Sequence, residues 1–365
     1  EIEITDVDDM TAYNGTVAPG IAFNDINCDA DSVKIVLKGY EHEAQDLTGS
    51  LSRSAHGGSI RLPDFNHTAD VDDVYTLTAR VSDMAGNSKE VSKVFSVNRY
   101  GSNYILGDDT QKLVNDYYAN QEEDLVIREI NVSSLQTEGI TYSRDGEMVT
   151  LKEEEDYDVQ EDGTEFASWK EYTYTVHAHN FEEEGAYTVT VLSTDTAKNS
   201  MSNRTAKIKE YTKEVAFVID KTAPTIVATG VENNRQYMEN EREIKVDSQD
   251  NVAIDFVEVY LNDSGTPVQT WMKEELAENN GIMNYMLKAA SNWQSLRFVA
   301  VDKAGNRKES DILRCLLTTN VWIQFINNRV ALYGTFLLVA LAGGACYFIF
   351  AKRRKKNQEK GADAQ

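Results

Sequence analysis

Three short stretches of this chain repeat one pattern: "VSDMAGNSKE" from Val81, "STDTAKNSMS" from Ser193 and "VDKAGNRKES" from Val301. Each is built on Asp-x-Ala-Gly-Asn, with starts at Asp83, Asp195 and Asp302. The starts lie 112 and 107 residues apart, too far for a solenoid repeat and close to the size of a small domain. The repeat therefore counts domains, and any fold for the chain must place the same turn once in each of three units.

Reading backwards by twos from Asp83 gives Val81, Ala79, Leu77 and Tyr75, with Ser82, Arg80, Thr78 and Thr76 between them. Such alternation is a strand with one buried face. From Asp195 the same walk gives Ser193, Val191, Val189 and Tyr187, and from Asp302 it gives Ala300, Phe298 and Leu296. In the turn, the Asp carboxylate can bond a backbone N–H two residues on, two residues fit a type I turn, and Gly supplies the positive φ of a bulged hairpin. Gly86 and Gly305 meet that need, but Lys198 stands there in the middle copy. A non-Gly residue costs on the order of 1 kcal/mol at such a position, or else the turn has a different geometry. One Asp and one Asn are too few oxygen ligands to make this motif a calcium site alone.

"SVKIVLKGY", "DLVIREINVS", "WKEYTYTVHAH", "REIKVDS" and "DFVEVYLND" are short β-branched or aromatic runs bounded by Gly, Asn and Asp, and read as further strands. "TQKLVNDYYANQEE" and "WMKEELAENN" are expected to form a short helix or a loop each. Many strands at about 100 residues per unit point to β-sandwiches, though length and sheet content alone leave small barrels open.

The end of the chain is of another kind. Residues 330–351, "VALYGTFLLVALAGGACYFIFA", carry no charge, and as a helix would rise roughly 33 Å, enough to cross a bilayer core. "KRRKK" follows at 352–356 and by the positive-inside rule stays cytoplasmic. Trp322, Tyr333, Tyr347 and Phe348 fall near the two ends of the span, where amphipathic rings sit at headgroup level. Residues 1–328 hold 29 basic against 58 acidic residues, a formal charge of −29, which disfavours phosphate backbones and excludes nucleic acid as an expected partner. Cys28, Cys315 and Cys346 allow no bridge within one unit, which favours a bacterial over a eukaryotic extracellular protein. An exported ectodomain needs an export signal, and "EIEITDVDDM" has none; the expectation is that the chain is a mature form or, in preference, the C-terminal part of a longer one.

"FVIDKTAPTIVATG", "IKVDSQDNVAIDFVEVYLNDSG" and "LRFVAVDKAGNRKES" resemble the bacterial immunoglobulin-like domain repeated in large surface proteins of Gram-positive bacteria. "DVYTLTARVSDMAGNSKEVSKVFSVNRYGSNY" and "NFEEEGAYTVTVLSTDTAKNS" are similar to other modules of such proteins. The resemblance implies an all-β chain of three tandem immunoglobulin-like β-sandwiches, 1–98, 99–219 and 220–318, then a juxtamembrane segment at 319–329, one transmembrane α-helix at 330–351 and a basic cytoplasmic tail at 352–365. It also implies a tyrosine corner at "EEGAY" (Tyr187) and a partial one at "DDVY" (Tyr75), in which the phenol bonds the backbone. The third unit has Gln294 at the matching position. "NRYGS" at 98–102 and "DKTAP" at 220–224 read as linkers short enough to limit independent tumbling.

Candidate chemistry is sparse. Acidic clusters at Asp6, Asp8 and Asp9, at Asp29 and Asp31, and at Asp70, Asp72 and Asp73 are calcium candidates, because a hard cation wants several carboxylates; acidic loops also simply solvate a surface. His177 and His179 would share one face of a strand and could pair on a metal, but no third ligand has a recognisable spacing. No Gly-rich phosphate cradle, nucleophile elbow or His-Glu-x-x-His pattern is present, so neither a cofactor nor catalysis is expected. "TTNVWIQFINN" precedes the span where a Leu-Pro-x-Thr-Gly sorting signal would stand, so retention by the span rather than covalent attachment to the wall is expected. The reading is a single-pass protein with its N-terminal part extracellular: a stalk displaying an N-terminal region for adhesion, its ligand a surface glycan or protein. The alternative is the C-terminal spacer and anchor of a large extracellular enzyme such as a glycoside hydrolase or protease.

Overall fold

The computed structural model describes residues 1–262 and 264–362, with the backbone alone for 355–362; part of the expected basic tail lies outside the described residues. The chain is mostly β, and its strands form three pairs of sheets followed by a long C-terminal helix. It divides into two compact units, Glu1–Lys221 and Thr222–Gln365.

The first unit holds two sandwiches. In the first module, Ile2–Thr5, Gly20–Asn24, Gly57–Arg61 and Ser52–Ser54 make one sheet. Thr11–Tyr13, Ser88–Val97, Asp73–Asp83, Cys28–Gly39 and Gln45–Asp46 make the other. The second module pairs Asn103–Leu106, Leu125–Asn131, Lys170–Val176 and Tyr157–Asp162 against a sheet ordered Tyr118–Ala119, Val215–Ile219, Gly185–Asp195, Leu135–Arg144 and Glu147–Thr150. "TQKLVND" forms a helix, α1, over Asp108–Asp116. In the second unit, Thr225–Thr229, Glu241–Gln249 and Ile282–Lys288 face a sheet ordered Arg235–Tyr237, Leu313–Leu317, Gln294–Asp302, Ile254–Leu261 and Gln269–Met272, and "KEELAE" is a short helix, α2, over Lys273–Glu278. All three modules repeat one unusual pairing: a short edge strand runs parallel to the last strand, as Thr11–Tyr13 beside Ser88–Val97, Tyr118–Ala119 beside Val215–Ile219, and Arg235–Tyr237 beside Leu313–Leu317.

The alternation before each turn gives the cores. Leu77, Ala79, Val189, Val191, Leu296, Phe298 and Ala300 are fully buried, and each module has its own cluster of buried apolar side chains, drawn from residues 2–97, 104–219 and 226–317. The repeated turn itself is the same object three times. The Asn amide donates to the Asp carboxylate at 2.8, 2.8 and 2.9 Å (Asn87 to Asp83, Asn199 to Asp195, Asn306 to Asp302). The Asn backbone N–H donates to the other carboxylate oxygen at 2.9, 2.8 and 2.8 Å. The residue between has φ of 88° at Gly86, 66° at Lys198 and 88° at Gly305. Asp and Asn are thus the two jaws of one clamp, and Lys198 adopts the glycine conformation rather than changing the turn.

Both expected tyrosine corners are present: Tyr75 OH donates to Val71 O at 2.8 Å and Tyr187 OH to Glu183 O at 2.7 Å. In the third module the buried Gln294 amide donates to Lys288 O at 3.0 Å, so a different donor ties the strand entry to the backbone. After the third module come α3, Val321–Asn327, and α4, Arg329–Ala362. Within α4, Arg329–Arg354 is long and apolar enough to cross a membrane, and its apolar window is wholly exposed.

Candidate functional site: the joint between the first two modules

The strand Ser88–Val97 ends one residue before a fully buried amide. Asn98 Nδ2 lies 2.7 Å from Asn131 Oδ1, 2.8 Å from Ser133 Oγ and 2.9 Å from Asp195 Oδ2, all in the second module. The return contact is the turn clamp itself, since Asn199 Nδ2 donates to Asn98 O at 2.9 Å. Asp195 and Asn199 are buried, whereas the matching Asn87 of the first module is exposed. One copy of the repeated turn has therefore become the seat of a neighbouring module.

Arg99 points the other way. Its guanidinium donates to Gly15 O at 3.0 Å, Asn66 O at 2.8 Å and Asp64 Oδ1 at 2.9 Å, so successive side chains of the linker grip opposite modules. The contact to Asp64 is charge-assisted and Arg99 is 4% exposed, a setting where such bonds are stronger than at a surface. Lys207 Nζ closes the far side, donating to Arg99 O at 2.5 Å and to Asn199 Oδ1 at 2.8 Å. Trp169 of the second module donates its indole N–H to Asp73 Oδ1 of the first at 2.9 Å. Gly101 has φ of 75°, which favours glycine, and a Cβ there would meet Met201 Sδ at 2.5 Å, so a side chain at this position would be strained and would displace Met201.

Carboxylates inside this joint are held by backbone donors. Asp72 Oδ2 accepts from Arg99 N at 2.7 Å and Tyr100 N at 2.9 Å; burial pushes its pKa up to about 6 against the opposing pull of those N–H groups. Asp73, fully buried, accepts from Glu41 N, His42 N and His42 Nδ1 through Oδ2 and from Val74 N and Trp169 Nε1 through Oδ1. Asp70 is exposed in a 3-10 turn. Of the other calcium candidates, Asp6 has φ of 62° and accepts from Thr5 Oγ1. Asp8 is exposed, and Asp9 Oδ1 accepts from Val94 N at 2.7 Å. Asp29 Oδ1 accepts from Asp31 N. Among the described residues, no three of the six carboxylates of Asp6, Asp8, Asp9, Asp70, Asp72 and Asp73 come within 4.8 Å of one another.

A second buried network abuts the joint. Glu129 Oε1 accepts from Ser102 Oγ at 2.5 Å, Ser193 Oγ at 2.5 Å and Tyr104 OH at 3.1 Å. Ser102, a linker residue, also accepts from Asn131 Nδ2 at 2.8 Å. Tyr174 OH lies 2.9 Å from Glu129 Oε2 and 2.8 Å from Glu138 Oε2. A phenol has one proton, so it cannot donate to both carboxylates; the trio is satisfied when one carboxyl keeps its own proton. Burial raises the pKa of both Glu129 and Glu138, in keeping with that count. The histidine pair is placed differently from the strand reading: the strand ends at Val176, and His177 starts a 3-10 turn, Ala178–Phe181. The rings lie 5.6 Å apart, His177 against Asp158 at 3.0 Å and His179 against Asp156 at 3.4 Å, and the Asp158 contact raises the His177 pKa.

Comparison with known proteins fits this architecture. A family described as "Bacterial Ig-like domain" matches residues 50–99, the later part of the first module up to the joint. The chain matches no curated protein. Among solved structures it is similar to a tetra-tandem repeat in the extending region of a large adhesion protein, at 15% identity over 87% of this chain and 74% of that one, with a TM-score of 0.33. It is similar also to the fibronectin(III)-like modules of Clostridium thermocellum CbhA, at 13% identity over 59% and 94% of the two chains and a TM-score of 0.30. The ectodomain of mouse nectin-like molecule 4 aligns at 14% identity over 85% and 98%, with a TM-score of 0.31. No activity or partner follows from likeness at this level.

Proposed function

We propose that this chain is a membrane-anchored bacterial surface protein whose immunoglobulin-like modules serve as a spacer and adhesive stalk, not as an enzyme. The observation that carries the reading is the first joint. A hinge around a working cleft would leave its linker solvated, whereas here Asn98 and Arg99 are buried and bonded to opposite modules, an arrangement suited to holding two modules at a fixed attitude. The match of residues 50–99 to bacterial Ig-like domains and the apolar helix α4 support a surface location. Arg353 and Arg354 at its far end favour a cytoplasmic C-terminus by the positive-inside rule. Contacts with a surface glycan or protein would be made by the loops at the ends of the sandwiches.

Topology is the direct test. Protease added to intact cells expressing the chain with a tag after Gln365 is expected to remove epitopes in residues 1–318 and leave the tag protected. An intact ectodomain, with the tag cleaved, would reverse the orientation and refute the surface reading.

A further inference from the structure

We infer that α3 is an interfacial helix: its apolar face rests on the lipid surface and holds the third module against the bilayer. The inference rests on the reading of α4 as a membrane span. At 100° per residue, Val321, Phe325, Trp322 and Ile326 occupy one continuous arc of α3. Three of them are exposed, Val321 at 64%, Trp322 at 74% and Ile326 at 59%, and Trp322 packs edge-on against Phe325 at 6.3 Å. The opposite arc carries Asn327, whose Oδ1 accepts from the indole N–H of Trp293 in the third module at 3.1 Å.

The helix is fixed at its start as well. Asn320 Oδ1 caps it by accepting from Trp322 N at 2.9 Å and Ile323 N at 3.3 Å. One side of α3 is thus tied to the module while the other presents only apolar groups. No charged residue occurs from 315 to 328. What covers the face is set by position: a single residue, Asn328, separates α3 from α4, so the exposed arc begins where the chain meets the membrane and continues the exposed apolar surface of the span. An amphipathic helix with Trp at such a place gains by lying at the boundary between headgroups and acyl chains. The consequence is mechanical, because the Trp293–Asn327 contact links the module to a helix that cannot rotate freely about the span.

The full chain reconstituted in phosphatidylcholine vesicles tests this, with lipids brominated either near the headgroup or near the chain end as quenchers. The chain has four tryptophans. Shallow bromines are expected to quench the wild-type emission by roughly one tryptophan's share, more than deep bromines do. Trp322→Phe, which leaves Trp293 and Asn327 in place, should abolish that component. If the chain floats with the vesicles after an alkaline wash but the two proteins quench alike, the span reading stands and the inference falls. A Trp322-dependent dimer with unquenched emission would assign the face to a second copy and also overturn it. A chain that does not float refutes both.

Discussion

Asp72 sits inside the first joint with one oxygen serving two backbone N–H groups and the other, Oδ1, buried without a hydrogen-bond partner among the described residues. Such a group prefers to be neutral. Its folded pKa of about 6 lies above the ordinary carboxylate value of 3.8, so the folded state holds the proton more tightly than the unfolded one. The stabilisation from that preference is complete below about pH 4 and is lost as pH rises through about 6. In Asp72→Asn the carboxamide oxygen can still accept from Arg99 and Tyr100, and nothing titrates. The variant should therefore gain on wild type by on the order of 2 kcal/mol as pH rises from 4 to 7, measured by urea unfolding of residues 1–221. A difference that stays constant over that range would place the titration elsewhere.

The hairpin turns are the elements where sequence and structure can be compared most closely. Lys198 holds φ of 66° where the other copies have glycine, and its N–H still donates to Asp195 O at 2.9 Å. Lys198→Gly should stabilise the second module by up to about 1 kcal/mol, less the greater freedom of glycine in the unfolded chain. A lower melting temperature for the variant would contradict this. The turns, the strands leading into them and the long apolar helix are legible because each depends on local spacing, a period of two or an uncharged run, whereas the tyrosine corners follow from the family resemblance. The pairing of Asn with Asp inside the motif is not legible, because turn chemistry assigns a role to the Asp carboxylate and to Gly but none to the Asn side chain. The joint was missed for a different reason. "NRYGS" looks like any polar linker, and its burial depends on partners 27 to 108 positions away, such as Asp72 and Lys207. A signal was nonetheless present: Asn98 and Arg99 directly follow an apolar strand end, where a solvated linker has no need of large hydrogen-bonding side chains.

At the scale of the whole molecule, residues 1–328, of formal charge −29, are joined to a basic tail through one apolar helix. That charge repels other polyanions, an effect that fades beyond about 8 Å at physiological salt, so any rigidity between the first two modules rests on the contacts at their joint. The central claim is that the first joint makes one rigid body of two modules, through Asn98, Arg99, Trp169 and Lys207. Backbone 15N relaxation of residues 1–221 measures it directly. Amides in Asp73–Asp83 and in Gly185–Asp195 should report one shared rotational diffusion tensor, as for a single body. Separate and faster tumbling of the two strands would mean that the modules move independently, and would contradict the claim.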